Sequence, residues 1–163
     1  MTLSTTVTAR IKAIEEITGE GYTTVSSFDD ASPITMATGT AASLADLKFS
    51  EIATIGTGGT TYDLNALVDG DGRTIAMVKV KALLVKADSA NTNTIIVGAA
   101  SSNQFQGPFD TATWTATLPA NGQFLIVAPV AGWACTTGVS DKLKIAGGAA
   151  AQIYTLQIVG TSA

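Results

Sequence analysis

The stretch RTIAMVKVKALLVKA, residues 73–87, decides the fold class of this chain. Its aliphatic and β-branched residues predict one long strand, because such side chains fit a pleated and half-buried surface. In an extended chain the side chains alternate between two faces, and Lys79 and Lys81 fall on the wetter one. The packed face is predicted to carry Val78, Val80, Ala82 and Leu84. Leu83 and Val85, apolar on the lysine side, indicate that this second face is covered as well.

Strand-like segments continue on both sides of this stretch, and turn-forming residues separate them at regular intervals. The other predicted strands are residues 47–55, 60–68, 93–100, 112–118, 123–129, 132–136, 142–146 and 151–160. Gly, Asn, Asp and Pro fill the connections, for example GTGG at 56–59 and PANG at 119–122. Strands at a spacing of roughly 8–12 residues are typical of an all-β sandwich or barrel. We predict a single antiparallel β-sandwich over residues 47–163.

The first 46 residues differ from this pattern, and we predict that they form a short helix and an extended arm. Over residues 5–17, Val7, Ile11 and Ile14 recur at three- and four-residue steps, which indicates an amphipathic helix that ends near Gly19. Residues 18–46 include Phe28 but show no sustained period, which predicts an arm or linker ordered by its neighbours. The helix stripe packs either on its own domain or on a neighbouring subunit, and the pattern leaves both open.

Composition excludes several classes of function. Hydrophobic residues make up 46% of the 163 residues and charged residues 13%, which argues against a disordered chain. The net charge of −4 without a basic cluster argues against nucleic-acid binding, and no apolar run reaches the roughly 20 residues of a membrane helix. The chain contains no histidine, which removes the Ser-His-Asp and Cys-His arrangements and the common zinc sites. Cys135 stands alone and is predicted to be buried. We expect no enzymatic activity and no cofactor.

The segment NALVDGDGRT, residues 65–74, resembles a calcium or phosphate loop at first sight. Counted from Asp69, the calcium pattern fails because Arg73 and Thr74 occupy its fifth and sixth positions. The phosphate-loop pattern is absent too, and two acids would repel an anion. Asp-Gly pairs between apolar residues are instead typical of a tight hairpin turn, so a turn is predicted here.

An aromatic segment, FQGPFDTATW at residues 105–114, is predicted to form an exposed loop of the domain. Phe105, Phe109 and Trp114 are interpreted either as core and inter-sheet fillers or as a contact loop that stacks on a sugar or a protein partner. The sequence alone favours the core interpretation without removing the other.

The order of several motifs resembles a group of small virion proteins of tailed bacteriophages. The matching stretches are KVKALLVKADSANTNTIIVGAASSNQFQGPF, the PANG turn, QFLIVAPVAGWACTTGVSDKLKIAGG and AQIYTLQIVGTSA, within about residues 45–163. The resemblance implies a jelly-roll-like sandwich and a non-enzymatic structural role, as a capsid decoration or cement protein that often forms trimers.

The resulting hypothesis is a phage capsid decoration protein, assembled in the host cytoplasm and located on the capsid surface of the virion. Its expected partners are the major capsid protein and its own copies in a homotrimer, with neither nucleic acid nor membrane. The alternative is a receptor- or glycan-binding head of a tail fibre. The candidate contact residues are Val7, Ile11, Ile14, Phe28, Phe105, Phe109 and Trp114.

Overall fold

The protein is described by a computed structural model that covers residues 2–19, 22–148 and 151–163. The side chains of residues 16–19, 22–24, 26 and 28 lie outside this description. Within the described ranges the chain is all-β, and its helical content is a single 3-10 turn at Gly107–Phe109. The all-β prediction is therefore confirmed.

Fourteen strands follow one another along the described chain, and most join antiparallel sheets. They are β1 Thr5–Gly19, β2 Tyr22–Thr38, β3 Leu44–Ala45, β4 Leu47–Thr54, β5 Thr60–Asp63, β6 Leu67–Val68, β7 Thr74–Ile75, β8 Lys79–Ala87, β9 Ile95–Gly98, β10 Thr115–Leu118, β11 Gln123–Val127, β12 Trp133–Ala134, β13 Lys142–Gly147 and β14 Ile153–Thr161. Each strand predicted over residues 47–163 coincides with one or two of these, with ends that differ by a few residues.

Two main sheets and the short two-stranded sheet of β6 and β7 make up the body of the molecule, residues 47–163. The β8 sheet has the order β11-β8-β14-β4, with β12 paired to β8, and the β9 sheet has the order β10-β9-β13-β5. Both contribute to one buried core, which includes Leu83, Val85 and Leu156 from the β8 sheet and Val97 and Ile145 from the β9 sheet. Each such aliphatic side chain stabilises the fold by about 1.5–3 kcal/mol through removal from water.

A β-bulge at Lys81 reverses the faces of the long strand. Val159 pairs with Ala82 but Gly160 pairs with Val80, so Lys81 is an extra residue on β8. Val80 therefore faces the core together with Leu83 and Val85. The assignment of Ala82 and Leu84 to the packed face is wrong, because a bulge shifts the alternation by one residue and no sequence period reveals it.

The helix predicted over residues 5–17 is also wrong. β1 pairs with β2 along its whole length, from Thr5 opposite Met36 to Gly19 opposite Tyr22, in an antiparallel hairpin. The supposedly unpatterned residues 18–46 thus supply the partner strand, and Ala37–Thr38 pair in turn with β3. The pairing supplies hydrogen bonds along both strands, whereas an isolated helix of this length is marginal in water.

The turn predicted at VDGDGRT is confirmed. Leu67 pairs with Ile75 and Val68 with Thr74, and the Asp69 carboxylate accepts hydrogen bonds from the backbone amides of Asp71 and Arg73. The Arg73 amide and its guanidinium hold the pKa of Asp69 below its usual range. The Asp69 carboxylate thus builds the turn itself.

Candidate functional site

Reactive groups are scarce in the part of the chain that the structure describes. No group of three or more Cys, Asp or Glu side chains in these residues could hold a metal ion. Cys135 is buried, and burial raises the pKa of its thiol to about 12, so it is a poor nucleophile near neutral pH. Burial also raises the pKa of Tyr62, whose hydroxyl lies 2.6 Å from that of Tyr154. The search for a site therefore turns to the surface.

The hairpin of β1 and β2, which we call the arm, is the most exposed element of the fold. All its described side chains between residues 8 and 33 are exposed, including Ile11 (69%), Ile14 (61%) and Val25 (61%). At its base, Met36 is buried (1%) and Val7 is half-buried. An isolated two-stranded hairpin is marginally stable in water, so such an arm normally rests on a partner surface.

The two faces of the arm differ in chemistry. Cross-strand pairing puts Val7 opposite Ile34, Ala9 opposite Ser32 and Ile11 opposite Asp30 on one face. We call this the apolar face of the arm; it consists of Thr5, Val7, Ala9, Ile11, Ala13 and Glu15 on β1 and Met36, Ile34, Ser32 and Asp30 on β2.

The opposite, polar face carries an ion pair. The Arg10 guanidinium donates from Nε to Asp29 Oδ1 at 2.7 Å and from a terminal nitrogen to Asp29 Oδ2. This contact lowers the pKa of Asp29 and raises that of Arg10. Both groups are in water, so the pair contributes little stability but satisfies both charges on this face. Lys12 and Ile14 lie on the same face.

The base of the arm crosses the outer surface of the β8 sheet and leaves a groove of about 530 Å³ beside it. Residues 3–8, which include the start of the arm, line this groove, and the sheet contributes Leu84, Leu125, Gln157 and Lys48, among others. The Thr38 hydroxyl donates to the Leu3 carbonyl and accepts from the Leu3 amide, which ties the chain start to β2. The groove is open to solvent and half apolar.

The predicted aromatic contact loop is largely part of the body. Phe105 is fully buried and Trp114 is 6% exposed. The Trp114 indole donates to the Phe105 carbonyl at 2.7 Å, and Phe109 stacks on Trp114 at 4.8 Å between ring centroids. Phe109 alone of these three rings is exposed (45%). The aromatic side chains thus anchor the loop to the body, and most of them are not available to a partner.

The candidate contact residues therefore do not form one site but lie in separate parts of the structure. Val7 lies at the base of the arm, while Ile11 and Ile14 lie exposed on its opposite faces. Phe28 belongs to β2, but its side chain lies outside the described residues. Sequence reasoning missed Val25 on the arm and Ile52 on the sheet, which are 61% and 74% exposed. The alternation Val7-Ala9-Ile11-Ala13 was the signal that could have identified the arm.

Compared with known proteins, the chain matches no family model, no curated protein and no solved structure. None of the helical segments that the structure describes is long and apolar enough to cross a bilayer. The function is therefore inferred from the geometry of the chain itself.

Proposed function

We propose that this chain is a structural protein of a bacteriophage virion, and specifically a capsid decoration protein that binds the outer surface of the head. One observation carries the proposal: a long arm with exposed apolar side chains stands off a compact β body. The accessible surface of 8895 Å² exceeds the roughly 7,550 Å² expected for a monomer of this mass by about 1,300 Å². A standard interface buries about 800 Å² on each partner, so the excess is large enough for stable subunit contacts.

Three further features support this role. The motif order over about residues 45–163 resembles small phage virion proteins, which implies a jelly-roll-like sandwich, a homotrimer and contact with the major capsid protein. The low share of charged residues suits a protein whose surface is covered by neighbours. The exposed side chains Ile11, Ile14 and Val25 supply the apolar contacts that such binding needs.

Purified protein mixed with undecorated capsids tests the proposal by co-sedimentation. We expect saturable binding, which stabilises the capsids against heat. The matched variant lacks residues 8–33 and joins Val7 to Ile34 through an Asn-Gly turn, which fits because these two residues are already paired. This shortened-arm variant should bind at least about 10-fold more weakly, because it loses the exposed apolar contacts.

Protein that stays in the supernatant at every concentration would contradict the proposal. Binding to host cells or polysaccharide that is lost on Phe109→Ala would instead support the receptor-binding alternative, since Phe109 is the exposed ring of that loop. Equal capsid binding by the intact and shortened-arm proteins would remove the arm from the mechanism.

A further inference from the structure

The apolar face of the arm is covered near the body and exposed farther out. Near the body, Met36 is buried and Val7 lies in the groove against the β8 sheet. Beyond residue 8 the same face continues into solvent with Ala9, Ile11 and Ala13 uncovered. The base thus shows which kind of surface this face packs on: the outer side of a β8 sheet.

That outer side extends past the part covered by the chain's own arm. Ile52 on β4 is 74% exposed, and Ile153 on β14 is 38% exposed. Cross-strand pairing places Ile52, Thr155, Lys86 and Gln123 in one row across the sheet, next to the row that contains Leu84 and Leu125. The outer side of the β8 sheet therefore offers an uncovered, partly apolar surface beside the chain's own arm, on which the apolar face of a second arm can pack.

The charges of the two surfaces are complementary. Asp30 and Glu15 are the charged residues of the exposed apolar face, whereas Arg10 and Lys12 lie on the other face. The outward positions of β4, β8, β14 and β11 carry three lysines, Lys48, Lys79 and Lys86, and no carboxylate. Opposite charges at the rim of an apolar contact favour one orientation and one partner.

We propose that the arm of one copy packs its apolar face across the outer face of the β8 sheet of a second copy of this chain. Ile11 then rests near Ile52 and Leu84 of the neighbour, and the arm acids face Lys48 and Lys86. The accessible surface of 8895 Å² is about 1,300 Å² larger than that of a compact monomer of this mass. This excess is more than the roughly 800 Å² that each partner of a standard interface buries. A head-to-tail contact of this kind generates a closed ring when its rotation closes.

The inference deepens the proposed function by naming the partner of the arm, and it rests on that function only for its biological setting. It is tested without capsids, by sedimentation equilibrium of the full chain over a wide range of concentration. We expect a reversible oligomer whose dissociation constant rises with salt, because the acid–lysine contacts are screened.

Two pairs of matched variants test the geometry. Ile11→Asp changes the apolar face, while Ile14→Asp changes a residue of similar exposure on the polar face. On the sheet, Ile52→Asp lies in the proposed contact, and Val139→Asp changes a 62% exposed residue of a loop. Ile11→Asp and Ile52→Asp should each weaken association by about 10-fold or more. Ile14→Asp and Val139→Asp should change it by less than about 3-fold. All four side chains are exposed, and circular dichroism checks that each variant folds.

A charge swap provides a second, independent measurement. Reversal of the arm acids (Glu15→Lys with Asp30→Lys) and reversal of the sheet lysines (Lys48→Glu with Lys86→Glu) should each weaken association. All four substitutions in one chain should restore most of it, because the complementary charges are exchanged rather than lost.

A monomer at all concentrations, equal effects of Ile11→Asp and Ile14→Asp, or a charge swap without restoration would each overturn the inference. If the chain is monomeric and Ile11→Asp instead weakens capsid binding, the partner of the arm is the capsid protein. The proposed function then stands and this inference falls. If the chain self-associates through the arm but does not bind capsids, this inference stands and the proposed function falls.

Discussion

The hydroxyl groups of Tyr62 and Tyr154 meet at 2.6 Å inside the body, one from each of the two main sheets. Lys81 is buried as well, and its ammonium group donates to the carbonyls of Pro129 and Val130. Buried polar groups cost free energy unless they are paired, and these contacts satisfy them within the fold. At the scale of single residues, the polar groups of the interior thus hold strands and loops together.

Cys135 provides a prediction on reactivity. The thiol is 5% exposed and its pKa is raised to about 12, first of all by burial. We expect the native protein to resist iodoacetamide at pH 8, because only about one thiol in ten thousand is ionised there. In denaturant the same thiol should react within minutes, as mass spectrometry of the alkylated protein can check. Equal rates in the native and the denatured state would contradict the buried position.

The same raised pKa gives a pH dependence of stability. The folded state holds the thiol proton more tightly than the unfolded chain, whose thiol has a pKa of about 8.5. The stabilisation is therefore complete below about pH 8.5 and is lost as the pH rises towards about 12. Cys135→Ala should remove the thiol's part of the stability loss at alkaline pH. Other groups such as Tyr62 contribute equally in both proteins. If the unfolding free energies of the two proteins fell in parallel between pH 8 and 11, the predicted contribution of the thiol would be contradicted.

At the scale of elements, Gly98 ends β9 where the chain must pass close to Trp114. Its φ is +98°, and a Cβ at this position would lie 2.4 Å from the Trp114 carbonyl oxygen. Gly98→Ala should therefore destabilise the fold by about 3 kcal/mol, through backbone strain and displacement of β10. Gly56→Ala is the matched control, because no atom lies within 4 Å of its added carbon. Urea unfolding of both variants measures the difference, and comparable losses would contradict the close approach.

The strands of the body could be predicted from the sequence because each carries its signal locally. β14 shows the alternation of Tyr154, Leu156 and Ile158 with polar residues, and the core contains the three apolar ones. Turn residues on both sides limit where each strand can end. Strand existence and type are thus properties of short windows of sequence.

The arm and the bulge could not be predicted because they depend on distant residues. Val7 and Ile11 are four apart, which fits a helix turn and two strand repeats equally well. The decision lies with β2, whose residues pair with β1 across a separation of up to 31 positions, from Thr5 to Met36. Likewise Lys81 becomes an extra residue only because β14 pairs with Val80 and Ala82 on its two sides. Tertiary pairing decided both cases.

At the scale of the whole molecule, folding and interaction belong to different parts of the chain. The buried core draws its residues from the body, between Phe49 and Ile158. Residues 8–33 of the arm add no buried side chain among those that the structure describes. A separation of this kind lets the body fold first and leaves the arm to gain its stability from a partner.

The shortened-arm variant, which lacks residues 8–33, tests this separation through thermal unfolding. We expect its melting temperature to stay within about 4 °C of that of the full chain as a monomer, because the loss of exposed residues costs little unfolding free energy. Val7, Ile34 and the buried Met36 remain, so the base of the arm is kept. Met36→Asp is the contrasting variant, since it places a charge at a side chain that is 1% exposed. A large drop in melting temperature for the shortened arm, equal to that of Met36→Asp, would show that the arm stabilises its own body and would remove the physical basis for its role in assembly.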